Sequence, residues 1–371
     1  MSDDGAPRAD QLDGAPHPRE TVQLYGHDTA EAEFLAAHGS GRLHSGWLIT
    51  GPRGVGKATL AYRMAQFLLE GREADGGLFG DAPTRIPLDP ESRDAHLIRS
   101  GAHPGLEVLT RGMNKTGSAL SDSISVDRVR ELKEFFHLSA SDGGHRVVIV
   151  DAADELNKSA ANAILKELEE PPARTTLLLL AHQPSRLLPT IRSRCRTLRL
   201  NPLSGPDLTR ALAQAGFEIE AGESLAALSG GSVGDAIRLL HADGLALYGQ
   251  IAGLFGRGGH IDRNAAVKLA DSVAGRAADA RFRLLSDLID IFATRAARAG
   301  LIGPPQVQAT PHEAELLAQL SPHDVAARDW ADLSADLGER LRHGRAVNVD
   351  SAALTLEALL RMEHIARRHA A

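Results

Sequence analysis

The chain has 371 residues, 43% of them hydrophobic and 24% charged, which is typical of a globular protein of two or three domains. The formal net charge of −7 argues against a protein that binds nucleic acid by itself, because such domains are usually basic. The single cysteine, Cys195, excludes an internal disulfide and a multi-cysteine zinc site, and it favours a cytoplasmic location. No aliphatic run approaches the ~20 residues of a membrane-spanning helix, so we expect no membrane association.

The order of predicted elements indicates an α/β domain followed by helices. Residues 1–20 are rich in Asp, Ala, Gly and Pro, which predicts a disordered tail and no signal peptide. A short helix is predicted over residues 29–37. Apolar runs then predict four strands, which alternate with helices: 47–50, 106–110, 146–151 and 175–180. Because these strands are apolar throughout, we predict a parallel sheet covered on both faces, and only helices after about residue 200.

The most informative stretch is WLITGPRGVGKA, from Trp47 to Ala58. An apolar strand precedes a glycine-rich loop, and a helical pattern follows it. Four residues have the type and spacing of a phosphate-binding P-loop: Gly51, Gly54, Gly56 and Lys57. In such a loop the backbone N–H groups and the helix N-terminus attract phosphate. Ala58 departs from the pattern, since a Ser or Thr hydroxyl would hold Mg²⁺ at this position.

A second part of a nucleotide site is predicted where the strand 146–151 ends in Asp151. There the carboxylate would lie near Mg²⁺ beside the P-loop, although an Asp can also simply cap the turn after a strand. ATPases of this architecture need another carboxylate directly afterwards, and this chain has Ala152. Glu155 could replace it only through a local rearrangement, because general-base geometry is strict.

Five arginines lie between residues 186 and 199. Four of them are most simply interpreted as a solvated basic face: Arg186, Arg192, Arg196 and Arg199. The fifth, Arg194, lies in the tripeptide Ser193–Cys195, which gains a specific meaning from a family resemblance.

Four stretches together resemble the bacterial clamp-loader branch of the AAA+ ATPases: Gly51–Lys57, Val147–Asp151, Asn162–Pro172 and Ser193–Cys195. The run Asn162–Pro172 is the most specific, because it is not a general P-loop feature. Weaker similarity extends from about residue 20 to the C-terminus, with a poor match over residues 71–105. The resemblance implies an AAA+ P-loop domain over residues 21–200, a small helical lid domain over 201–245 and an all-α collar domain over 246–371.

Three departures within that family favour its delta′ type over its motor type (gamma/tau). Motor subunits carry Ser or Thr where this chain has Ala58, Glu where it has Ala152, and an arginine where it has Gly234. The resemblance therefore implies an ATPase fold that no longer hydrolyses ATP. An active gamma/tau-like motor remains the alternative. A P-loop kinase for small molecules is a third hypothesis, which the helical C-terminal part argues against.

The resemblance also implies partners and a role for Arg194. Such a subunit would join gamma/tau and delta subunits, and would act with the sliding clamp and primed DNA as part of a DNA polymerase holoenzyme. Arg194 would serve as an arginine finger in the ATP site of a neighbouring motor. No cofactor would be required, and the P-loop residues with Asp151 would give weak or vestigial ATP binding. Relatives often carry a four-cysteine zinc module where residues 71–105 lie; the absence of cysteine there predicts no zinc.

Overall fold

The computed structural model describes residues 8–41, 43–72, 83–114, 116–117, 119–138, 144–219 and 221–369. The chain divides into two compact units. The first contains the residues up to Leu203 with 207–218 and 232–234, and the second contains 204–206, 219–231 and the residues from Asp235 onward. The division into P-loop, lid and collar domains stays a prediction.

The first unit is built on a five-stranded parallel sheet with the strand order β2-β3-β4-β1-β5. The strands are β1 (Gly46–Thr50), β2 (Leu106–Leu109), β3 (Arg146–Asp151), β4 (Thr175–Ala181) and β5 (Arg196–Arg199). Strands β1 and β4 are buried along their whole length, as expected for a sheet covered on both faces. The predicted parallel sheet is confirmed. Strand β5 is absent from the predicted elements, because three of its four residues are exposed and two of them are arginines, which gives no apolar run.

Helices cover the two faces of this sheet. They are α1 (Asp28–Gly39), α2 (Lys57–Leu69), α3 (Arg93–Ser100), α4 (Val126–Leu138), α5 (Lys158–Glu169) and α6 (Pro189–Arg192). Helix α7 (Gly205–Gln214) follows β5, and its first two residues belong to the second unit. Successive residues of a strand point to opposite faces. Accordingly Trp47 and Ile49 belong to one apolar cluster, with residues of α1 and α2, whereas Leu48 belongs to the other, with residues of α4 and α5.

The N-terminal segment is more ordered than its composition suggests. Residues Pro18–Glu20 form a short 3-10 helix that packs against α2 and α3. His17 is only 1% exposed; its Nε2 lies 3.1 Å from Asp10 Oδ2, and its ring contacts that of Tyr62. The prediction of a disordered tail is therefore wrong for residues 8–20, since a buried histidine anchors the segment; residues 1–7 lie outside the described residues.

The second unit is helical, as predicted for the C-terminal part. Its helices are α8 (Gly222–Ser229), α9 (Val233–His241, whose first two residues belong to the first unit), α10 (Gly244–Gly253), α11 (Arg263–Asp271), α12 (Asp279–Ile302), α13 (Glu313–Leu320), α14 (Asp324–Ala346) and α15 (Ser351–His369). The long helices α12 and α14 pack together, and Phe255 stacks on Phe292 with ring centroids 5.3 Å apart. None of the helices in the described ranges has the length and apolar character needed to span a membrane.

Candidate functional site

The P-loop follows β1 at the carboxyl edge of the sheet and leads into α2. All three of its signature glycines have positive φ, and Gly54 has a φ of +74°. A Cβ at Gly54 would lie 2.4 Å from Ser232 Oγ and 2.9 Å from the backbone nitrogen of Gly234. Both the backbone conformation and the close approach therefore require glycine at position 54.

Lys57, the cation of the P-loop, binds to the backbone of its own loop. Its Nζ donates hydrogen bonds to the carbonyl oxygens of Gly51 at 2.8 Å and Pro52 at 2.5 Å, and the residue is only 4% exposed. Burial lowers the pKa of Lys57 to about 8, against the opposing charge of Asp151. The ammonium group that would meet a phosphate thus binds carbonyl groups of its own loop.

Two other segments hold the P-loop backbone. The carbonyl oxygen of Gly54 accepts hydrogen bonds from the N–H groups of Val233 at 3.0 Å and Gly234 at 3.3 Å. On another side, the buried His27 Nε2 lies 2.7 Å from the carbonyl oxygen of Val55, and burial lowers the pKa of this histidine. A Cβ at Gly234 would come within 3.2 Å of Gly54 Cα. Gly234 therefore does more than omit an arginine, because its lack of a side chain permits this close contact.

The structure brings Asp151 to the same edge of the sheet as Lys57. Burial, reinforced by the negative charge of Asp10, raises the pKa of Asp151 to about 7. The next residue, Ala152, is buried and offers no carboxylate. Asp154 instead caps the end of β4, where its carboxylate oxygens accept hydrogen bonds from the backbone N–H groups of His182 at 3.2 Å and Gln183 at 2.9 Å.

Glu155, the sequence-based candidate for orienting a water molecule, lies on the short helix Ala153–Glu155. Its Oε2 forms an ion pair with Arg111 Nε at 2.8 Å. Its backbone carbonyl accepts a hydrogen bond from Ile124. Both partners hold the residue to the segment between β2 and α4, which gives it a structural role in this arrangement.

His182 is a site residue that the sequence analysis missed. It directly follows β4, between β3 and β1 in the sheet, and is half-buried. Burial and the positive charge of Lys57 lower the pKa of His182 to about 4, so the ring is neutral at pH 7. Its Nδ1 has no hydrogen-bond partner among the described residues. The sequence signal that could have identified His182 is a polar residue directly after an apolar strand.

Arg194 lies at the other end of the strands, where β1 and β5 begin. It follows α6 and precedes β5, and its carbonyl oxygen would be 3.3 Å from a Cβ at Gly46, the first residue of β1. The P-loop begins only after the last residue of β1. Because a strand rises about 3.3 Å per residue, the two sites are separated by roughly 17 Å along the five residues of β1.

The guanidinium group of Arg194 is accessible and held at two points. The side chain is 39% exposed. Its Nη1 donates a hydrogen bond to the carbonyl oxygen of Thr190 at 3.1 Å, and its Nη2 forms an ion pair with Glu169 Oε1 at 2.8 Å. The neighbouring Cys195 is chemically quiet, since burial raises the pKa of its thiol to about 12. Arg194 is thus the residue of this turn that can bind a ligand, through charge and N–H donors.

Comparison with known proteins finds one matching family and several similar proteins. A family described as "DNA polymerase III, delta subunit" matches residues 26–204. DNA polymerase III subunit delta′ of Pseudomonas aeruginosa is 42% identical over 204 residues, which are 54% of this chain and 56% of that protein. The delta′ subunit of Escherichia coli is 34% identical over 219 residues, 57% and 59% of the two chains. Subunit gamma of Buchnera aphidicola is 29% identical over 206 residues, 54% and 52%. The chain spans slightly more than half the length of these curated relatives.

Proposed function

We propose that the protein is a non-hydrolysing, delta′-type subunit of a clamp loader, because residues 26–204 match the family described as "DNA polymerase III, delta subunit" and delta′ subunits are among its relatives. In this role it gives Arg194 to the ATP site of a neighbouring motor subunit (gamma/tau). Its other partners are a delta subunit and, through the complex, the sliding clamp and primed DNA. The process that it serves is the loading of the clamp during DNA replication.

The position of Arg194 carries this proposal. The arginine lies at the amino edge of the sheet, whereas the chain's own P-loop lies at the carboxyl edge. A rigid parallel sheet keeps the two apart, so Arg194 serves a site outside its own P-loop. Its partly exposed guanidinium group meets the requirement for reaching the ATP of another subunit.

The chain's own nucleotide site is poorly suited to Mg²⁺-ATP. Ala58 supplies no hydroxyl for the metal, and Ala152 supplies no carboxylate for the attacking water. Lys57 is bonded to loop carbonyls, and Val233 and Gly234 cover Gly54. We therefore propose that any ATP binding is weak and vestigial. Equilibrium binding of labelled ATP to the isolated chain tests this, and tight binding would contradict it.

Arginine suits the chemistry of a finger. Its guanidinium group is always charged and planar, and it offers several N–H donors to the oxygens of a phosphate. In a site from which water is excluded, such a group offsets the charge that develops during phosphoryl transfer. Arginine fingers in GTPases accelerate hydrolysis by roughly 10³–10⁵-fold.

The decisive experiment isolates the one ATP site that Arg194 would serve. A clamp loader is reconstituted with motor subunits whose own finger arginines are replaced by alanine. Arg194→Ala in this chain is expected to slow DNA-dependent ATP hydrolysis by about 10³-fold, with assembly intact. Arg192→Ala, which alters an exposed arginine on the same turn, is the matched control. Unchanged hydrolysis in Arg194→Ala refutes the finger. ATP turnover by the isolated chain with primed DNA would instead favour the motor alternative.

A further inference from the structure

The side chain of Glu169 forms the ion pair with Arg194, and nothing in the nucleotide chemistry itself requires this carboxylate. We propose that Glu169 is a positioning residue, which holds the guanidinium group of Arg194 in the orientation that meets the phosphate of a neighbouring subunit. The inference rests on the proposed function, since it concerns how the finger is presented.

Glu169 is fixed because the helix that carries it is fixed. Helix α5 begins after Asn157, whose side chain accepts a hydrogen bond from Ala160 N at 2.9 Å. One face of the helix is buried against the sheet, and this face ends at Leu168, directly before Glu169. Two prolines, Pro171 and Pro172, follow the helix and prevent its continuation. The backbone of Glu169 therefore has little freedom to move with respect to the sheet.

The contacts leave Arg194 both oriented and available. Thr190 engages Nη1 and Glu169 engages Nη2, so the guanidinium plane is defined by two fixed acceptors on one side. A guanidinium group has five N–H donors, and these two contacts leave the donor on Nε and the second donors on Nη1 and Nη2 for a ligand. Without Glu169, one acceptor remains, and the long side chain can rotate about it.

The contact is a property of position 169 and not of acidic residues near the turn in general. Glu170 is also exposed, but no ion pair joins it to an arginine among the described residues. A carboxylate at the C-terminal end of a helix is electrostatically unfavourable. The charge of Arg194 offsets this at Glu169. If Glu169 acts by accepting a hydrogen bond from the guanidinium group of Arg194, glutamine can replace it, because the amide oxygen of glutamine can accept the same hydrogen bond.

The test uses the reconstituted complex in which the site served by Arg194 is the active one. Glu169→Ala is expected to lower kcat for ATP hydrolysis about two- to five-fold, the size expected for a partly exposed ion pair, with KM for ATP unchanged. Glu169→Gln is expected to restore most of the lost rate, and Glu170→Ala to leave it unchanged. In the Arg194→Ala background, Glu169→Ala should have no further effect.

Each result has a defined meaning. An unchanged kcat in Glu169→Ala, or a loss of the same size in the Arg194→Ala background, overturns the positioning role and leaves the proposed function standing. A Glu169→Gln variant as slow as Glu169→Ala also overturns it, because the acceptor would then be irrelevant. If Arg194→Ala itself has no effect, the proposed function fails first. Equal thermal unfolding temperatures of the variants separate positioning from loss of fold.

Discussion

The P-loop and the turn that contains Arg194 lie at opposite ends of the strands of one sheet, and their cations make different kinds of contact. Lys57 is 4% exposed and binds two carbonyl oxygens of its own loop. The side chain of Arg194 is 39% exposed and forms an ion pair with the half-exposed carboxylate of Glu169. A buried cation that is bonded to its own backbone contributes to structure, whereas an exposed cation with donors to spare can bind another molecule. By this contrast, Lys57 contributes to the fold of its own loop, whereas Arg194 keeps donors for a group outside the chain.

After Arg194→Ala, the next largest effect is expected from Arg194→Lys, which keeps the charge of the proposed finger and removes its planar fork. We expect about 100-fold slower hydrolysis at the neighbouring site, because an ammonium group on a shorter side chain cannot contact Thr190, Glu169 and a phosphate together. Single-turnover ATP hydrolysis by the reconstituted complex measures it, with Arg192→Lys as the control. Wild-type rates in Arg194→Lys would mean that charge alone matters at this edge.

The structural role of the P-loop is tested by Gly54→Ala. The new Cβ would meet Ser232 Oγ at 2.4 Å and force alanine into a φ of +74°. We expect a loss of about 2–3 kcal/mol in the free energy of unfolding, measured by urea denaturation. Gly112→Ala is the control, since a Cβ at Gly112 has no neighbour within 4 Å. If both variants are equally stable, the loop is not held by the segment 232–234.

A pH-dependent effect is expected at Asp151, whose pKa is raised to about 7, first of all by burial. The folded state retains a proton that the unfolded state releases near pH 4, so the contribution of this group to stability is lost as the pH rises toward 7. Asp151→Asn, which mimics the neutral acid, should gain on the order of 1–2 kcal/mol relative to wild type above pH 7. Unfolding by urea at pH 5 and pH 8 measures the gain. Asp122→Asn, an exposed site, should show no such trend; the same trend there would point to a general charge effect.

The smallest expected effect sharpens the contrast between the two cations. Lys57→Ala removes the lysine that motor subunits need for their own nucleotide, yet hydrolysis at the neighbouring site should stay within about two-fold of wild type. The reason is that Lys57 binds its own loop at the far edge of the sheet. The reconstituted complex used for Arg194 provides the measurement. A ten-fold loss would show that the chain's own site takes part in hydrolysis.

Hydrophobic patterns identified most of the first unit from the sequence. Strand β3 runs over the predicted residues 146–151, and α5 is one of the helices that were expected to alternate with the strands. These elements are apolar or strongly periodic, and their boundaries carry clear signals, such as the cap at Asn157 and the prolines after Glu170. Helix α3 was missed, since its eight residues are too few to establish a period within a polar segment.

The parts of the site that the sequence did not predict are contacts between distant segments. The substitution at Gly234 was visible as a missing arginine, but its hydrogen bond to Gly54 joins residues 180 positions apart in the chain. The pairing of Glu169 with Arg194 likewise depends on how α5 lies beside α6. Residue types and local spacing do not determine such contacts, because they follow from the packing of helices on the sheet.

Two of the other arginines, Arg196 and Arg199, lie on strand β5. It is an edge strand: β1 pairs with one side, and no described strand pairs with the other. An open edge invites backbone pairing with a second chain, and exposed charge is one of the devices that discourage it. Arg196 and Arg199 are both exposed on this short strand, and Arg196 also lies over the ring of Trp47, 5.3 Å from its centroid. The basic run that contains Arg194 thus also places exposed charge on the open edge of the sheet, where such charge disfavours backbone pairing with a second chain.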